Sequence, residues 1–165
     1  MAEKHDKIEK NTNGGVFMDR ELYAAKLFME GYNCAQAVIM SFSDMIGLDE
    51  KTCAKLSSSF GGGMGRMREV CGAVSGMLMV AGLLYGYDGP EEGEIKKAHY
   101  ARVQVLAEKF REEAGSIICR EILKNPPSDP NPSPRTEEYY QQRPCVRMVT
   151  LAVRVMEQYI TENPL

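Results

Sequence analysis

"FGGGMGRMREVCGAVSGMLMVAGLLYG", Phe60 to Gly86, is the stretch whose reading decides the fold. Glycines fill four of the five positions from Gly61 to Gly65. Arg66 and Arg68 follow, then a single cysteine, Cys71, then an uncharged run of small and apolar side chains. The run reads as a helix over Val70–Tyr87, closed by "YDGP". Its length just reaches what a membrane span needs, and Gly72 and Gly76 form the small-xxx-small pair that membrane helices use for close approach. It is the only such segment, and it is rich in glycine rather than leucine. We therefore expect no membrane span, but a central helix wrapped by amphipathic neighbours.

The neighbours support this reading, because the apolar periodicity is helical nearly throughout. "DRELYAAKLFMEGY" predicts a helix capped by Asp19 and stopped at Gly31. "NCAQAVIMSFSDMIG" predicts a second, from the Asn33 cap to Gly47, and "LDEKTCAKLSSSF" a third, capped by Asp49. "GPEEGEIKKAHYARVQVLAEKFREEAG" predicts a long helix with acids in its first turn and Gly115 at its end. "SIICREIL" predicts a short one capped by Ser116. "NPPSDPNPSPRTEEYYQQ" holds too many prolines for a helix and reads as an extended crossing loop. "RPCVRMVTLAVRVMEQYI" predicts the last helix, with Pro144 at its first position. The expected fold is all-α: a bundle of about six to seven helices around a central Gly/Ala-rich apolar helix.

The 165 residues suit one domain over residues 18–165, after a polar lead-in over residues 1–17 expected to be disordered. The net charge of −3 argues against nucleic acid as a partner. The start of the chain carries no apolar secretory segment, so a reducing, cytoplasmic setting is expected for the five cysteines. There, thiols are more often free, metal-bound or catalytic than structurally bridged.

Four of the cysteines share one local situation. Cys34 follows the Asn33 cap, Cys71 opens the apolar helix, Cys119 follows Ser116 by three residues, and Cys145 follows Pro144. Each is expected in a first helical turn, where unpaired N–H groups and the helix dipole favour a thiolate. Arg68, Arg120, Arg143 and Arg147 each lie within three residues of one of them, with Arg66 close by. Cys53 is expected instead as a small buried hydrophobe, beside Leu56 on the apolar side of its helix. His99, on the stripe of Ile95, Val103, Leu106 and Phe110, reads as a core histidine rather than a ligand.

The glycine loop does not fit a dinucleotide fingerprint, since Arg66 stands where G-x-G-x-x-G needs its last glycine, and no Lys-Ser/Thr pair follows as a phosphate loop requires. Two readings of it stand: backbone N–H groups turned toward an anion, or a tight connection between helices. Gly62, Gly63, Gly65 and Arg68 are the candidate binding residues. No C-x-x-C occurs, which argues against a zinc ribbon, a thioredoxin-type motif and covalent haem. Four ligands from four helix starts could still converge, as bundle metal sites do.

"CGAVSG" (Cys71–Gly76), after a glycine-rich loop and before "GLLYG", is similar to a CGAxxG signature. With "GYNCAQAV", "GSIICREIL" and "CVRMV", the chain resembles the redox-active family named for its C_GCAxxG_C_C cysteine pattern. The resemblance carries over onto Cys34, Cys71, Cys119 and Cys145 and leaves Cys53 outside. It implies small helical proteins with a redox role. A similar four-cysteine module in certain cytochromes resembles an iron–sulfur site. The expectations are therefore a cysteine-based redox protein, an oxidoreductase in one reading, working by electron transfer or thiol–disulfide exchange. Its four cysteines would hold a [2Fe–2S] cluster, another metal, or no cofactor and a reversible disulfide. An electron donor or acceptor protein is the expected partner, and the size allows a homodimer. The alternative is a structural zinc-binding helical protein without redox activity.

Overall fold

The computed structural model describes residues 18–90 and 93–165. The lead-in over 1–17, and Glu91 and Glu92 of the expected acidic first turn, lie outside the described residues. The fold is all-α: the described residues contain no strand, only one isolated antiparallel bridge between Val70 and Ile118. None of their helices is long and apolar enough to cross a membrane.

Caps set the early helices where their short polar side chains predicted. Helix α1 (Arg20–Met29) starts at Asp19, whose carboxylate accepts from the Leu22 amide at 2.9 Å. Helix α2 (Cys34–Met40) starts at Asn33, which makes a reciprocal capping box with Gln36. The single helix expected from Asn33 to Gly47 is instead broken. Buried Ser41 returns its hydroxyl to the Val38 carbonyl at 2.7 Å, and Arg20 takes the Ser41 carbonyl out of the helical ladder at 2.6 Å. The chain turns there and resumes as α3 (Ser43–Ile46), closed by Gly47 at φ 70°.

Helix α4 (Glu50–Ser57), capped by Asp49, runs into a 3₁₀ turn (Ser58–Phe60) and the short turn α5 (Gly61–Met64). Cys53 is fully buried as expected, but Leu56 is exposed and does not share its face. Helix α6 (Gly72–Tyr85) is shorter than the expected Val70–Tyr87, because Val70 is held in the bridge and Cys71 becomes the cap. Helix α7 (Glu94–Ala114) ends at Gly115 in the left-handed region. Its N-terminal half faces outward: Ile95 is exposed and His99 only half-buried, with Nδ1 3.1 Å from Arg102. Leu106 and Phe110 alone of the expected stripe are buried.

Helix α8 (Cys119–Ile122) is capped at Ile118, not Ser116; the Ser116 hydroxyl instead accepts from the Ile118 amide at 2.9 Å. The proline-rich loop ends earlier than expected. Past its last proline, Thr136 caps α9 (Glu137–Gln142), which carries two glutamates in its first turn. Pro144 is the cap of α10 (Cys145–Glu162) rather than its first residue, so Cys145 opens that helix.

Helix α6 packs on α2, α10 and α7, and α1 closes over α2 and α10. Phe28, Phe42, Ile39, Met77, Phe110 and Met148 fill the space between them. The pair Gly72 and Gly76 lets α6 lie directly on the backbone of α2. A β-carbon at Gly76 would sit 2.7 Å from the Ala35 carbonyl oxygen and 3.0 Å from Val38 Cβ. Backbone cannot yield as a side-chain tip does. Gly76→Ala is therefore expected to lower stability by about 1–3 kcal/mol in urea unfolding. Gly82→Ala on the same helix, where nothing lies within 4 Å, should raise it by up to about 1 kcal/mol. Equal effects of the two would show that the α2–α6 approach does not depend on Gly76.

Candidate functional site

Three different local devices set the four cysteines. Cys34 is the first residue of α2, held by the Asn33 cap. Asn33 also donates to the Ser58 carbonyl at 3.1 Å, which ties the start of α2 to the turn before the glycine loop. Cys71 and Cys119 are brought together by the antiparallel bridge. The Cys71 amide donates to the Ile117 carbonyl at 2.8 Å, and the Cys119 amide to the Glu69 carbonyl at 2.6 Å. Residues 69, 71, 117 and 119 share one side of this short extended pair, by the period-two alternation of extended chain. Cys145 opens α10 after Pro144.

The glycine loop turns the chain from α4 toward Cys71 through backbone of the unusual hand. Gly62, Gly63, Met64, Gly65 and Arg66 are consecutively left-handed, with φ between 60° and 69°. A left-handed turn costs little only where glycine fills it. Gly63 has a second reason: a β-carbon there would lie 2.7 Å from Cys119 Cβ and 2.8 Å from the Glu69 amide nitrogen. The loop is thus a tight connection, wound close against one of the thiols. The non-glycine residues Met64, Arg66 and Arg68 hold positive φ in and beside it, a strain that sits next to the cysteines.

All four sulfur-bearing residues line one cavity of about 280 Å³. Gly62, Gly63, Gly65 and Arg68 line it as well. Cys53 does not; its thiol lies against the Leu48 carbonyl at 3.8 Å. Of the arginines near the cysteines in sequence, Arg66, Arg68 and Arg143 reach the cavity. Arg120 pairs with Glu69 at the surface, and Arg147 is exposed outside the cavity. Sequence reasoning missed Arg135 and Tyr139, which the segment after the prolines delivers to the same cavity. Arg135 stacks over Phe28 and Tyr139 and donates to the Phe28 and Tyr32 carbonyls, both at 3.3 Å. The only signal for them was a cation and two tyrosines directly after a run of prolines.

All five cysteines are free thiols. The expectation that helix starts would favour a thiolate at all four is corrected by burial. Desolvation pushes Cys71 up to about 12, against the pull of the Ala73 and Val74 amides. Burial also raises Cys119, although Arg68 reaches to 3.9 Å from its sulfur. Cys34 and Cys145, the first residues of the packed helices α2 and α10, act on each other's ionisation. The neighbouring Cys145 and burial hold the Cys34 ionisation well above the ordinary thiol range. The neighbouring Cys34, together with Arg143, Arg135 and Arg68, lowers the ionisation of Cys145 despite burial. Of the four, Cys145 alone is drawn toward the thiolate.

Four thiols are a donor set that suits a soft metal or an iron–sulfur cluster. As they stand, the described residues include no group of three or more Cys, His, Asp or Glu spaced to hold a metal ion. What they do form is a set of thiols, with Cys145 the one drawn toward ionisation, in a cavity lined by guanidinium groups.

A family model described as "Putative redox-active protein (C_GCAxxG_C_C)" matches residues 32–159. No curated protein matches the chain, and no solved structure does.

Proposed function

Because the chain belongs to the C_GCAxxG_C_C family, whose description is redox-active, we propose that it performs thiol–disulfide exchange, with Cys145 attacking and Cys34 resolving. The observation that carries this reading is that Cys34 and Cys145, which open the packed helices α2 and α10, line one cavity, and that Cys145 alone of the cavity thiols has its ionisation lowered. The thiolate is the nucleophile of exchange, and a low-pKa thiol beside a protonated partner is the usual resting state of a reducing dithiol.

The reaction balances with the two thiols alone. The Cys145 thiolate attacks one sulfur of a disulfide R–S–S–R′; the S–S bond breaks, a Cys145–S–S–R mixed disulfide forms, and R′S⁻ leaves. Cys34 gives up its proton to the leaving thiolate. The Cys34 thiolate then attacks Cys145 Sγ and releases RS⁻, which takes a proton from water. Two electrons have passed from the Cys34–Cys145 dithiol to the substrate, and a Cys34–Cys145 disulfide remains. An external dithiol returns the protein to its reduced form by the same steps in reverse.

The test is anaerobic purification with iron, zinc and sulfide analysis and an absorption spectrum, followed by controlled oxidation and mass-spectrometric mapping of the disulfide. The expected result is a colourless, metal-free protein that forms one reversible bridge, Cys34 to Cys145. Visible charge-transfer bands with stoichiometric iron and sulfide would overturn the exchange reading in favour of a cluster. So would stoichiometric zinc, in favour of a structural site.

A further inference from the structure

We propose that the substrate taken by this cavity is a small-molecule disulfide carrying an anionic group, a carboxylate or sulfonate, and that Arg68 is the buried contact for that group. The proposal rests on the exchange reading above and adds the substrate class.

Two observations carry it. The first is charge. Arg66, Arg68, Arg135 and Arg143 all line the cavity, and no aspartate or glutamate does, in a chain whose net charge is −3. Arg66 has Asp129 within 3.7 Å. Among the described residues, no carboxylate forms an ion pair with Arg68, Arg135 or Arg143. Even an ionised Cys145 would offset only one of these three cations, which leaves a net positive cavity that favours an incoming anion.

The second is an orphaned donor. Arg68 is 3% exposed, and its Nε donates to the Pro127 carbonyl at 2.9 Å while Nη1 faces Cys119. Its Nη2 is buried with no partner. A buried guanidinium N–H left unpaired is costly, and a charged acceptor from a ligand relieves that cost. Holding the proline-rich loop accounts for Nε, and the thiol accounts for Nη1, but neither accounts for Nη2. The size suits the ligand: a cavity of about 280 Å³ is on the scale of a small-molecule site.

The experiment uses the full reduced chain in single turnover with two reagents whose released thiols absorb light. One is 5,5′-dithiobis(2-nitrobenzoic acid), which bears two carboxylates; the other is 4,4′-dithiodipyridine, which is uncharged near neutral pH. The expected result is that Arg68→Met lowers the ratio of the anionic to the neutral rate by roughly tenfold or more, as loss of a charge-assisted hydrogen bond would. Arg68→Lys should recover part of that ratio. In the unaltered protein, inorganic sulfate should slow the anionic reagent and spare the neutral one, which tests the cavity without disturbing the loop that Arg68 holds. Equal slowing of both reagents by Arg68→Met, with no protection by sulfate, would overturn the anion contact and leave Arg68 acting only on the thiolate. Failure of the exchange reading looks different: Cys145→Ser would leave both rates at the unaltered value.

Discussion

Cys145→Ser is expected to abolish reduction of a small disulfide, with a loss of at least about a thousandfold in single-turnover rate, on the scale of removing a covalent nucleophile. None of the other cavity thiols can replace it. Cys71 ionises only near 12, and Cys34 and Cys119 are both raised. A pH profile makes the assignment specific. Alkylation rate follows the thiolate fraction, so the unaltered protein should show a reactive limb below the ordinary thiol range, falling as pH drops through the lowered Cys145 value. Cys145→Ser should remove that limb. Cys34→Ala takes away the neighbouring thiol and should move the limb upward, whereas Cys34→Ser keeps an O–H group there and should largely hold it in place. A low-pH limb that survives in Cys145→Ser would place the reactive thiol elsewhere.

Phe28→Ala is expected to cost about 3–5 kcal/mol of stability, the usual range for emptying a buried aromatic site. Phe28 is 1% exposed and meets the Tyr140 ring edge-on at 5.9 Å. The Phe28 ring carries Arg135 at 4.5 Å, and the Phe28 carbonyl accepts from that guanidinium. The substitution therefore reaches the site as well as the core. Arg135 is one of the charges that favour the Cys145 thiolate, so its loosened platform should shift the alkylation limb upward. Phe28→Leu should restore most of the stability while leaving the upward shift, because leucine fills volume but offers no face to a cation. Urea unfolding and the alkylation profile together measure both parts. A stability loss below about 1 kcal/mol would show that the α1–α9 contact is peripheral.

The features that sequence alone determined are those written within a few residues. Asp19, Asn33 and Asp49 cap helices because a short side-chain oxygen reaches an amide three positions on, whatever lies elsewhere in the chain. The apolar period made the fold all-α, and the place of each cysteine at a helix start followed from its neighbours. The breaks were less legible. The turn at Ser41 depends on Arg20 drawing its carbonyl aside, twenty-one positions away. What only the tertiary structure decided is the chemistry of the thiols. Helix starts alone would favour ionisation at all four. Desolvation, however, sums over every atom packed around a sulfur, and a charge acts through space rather than along the chain. Cys145 became the favoured thiolate because α2 brought it Cys34 and the segment after the prolines brought it Arg135. Arg143, two residues away, was legible, but Arg68 and Arg120 lie within three residues of other thiols; Cys34 and Arg135 are ten or more residues away, so no local pattern distinguished Cys145 from the other three.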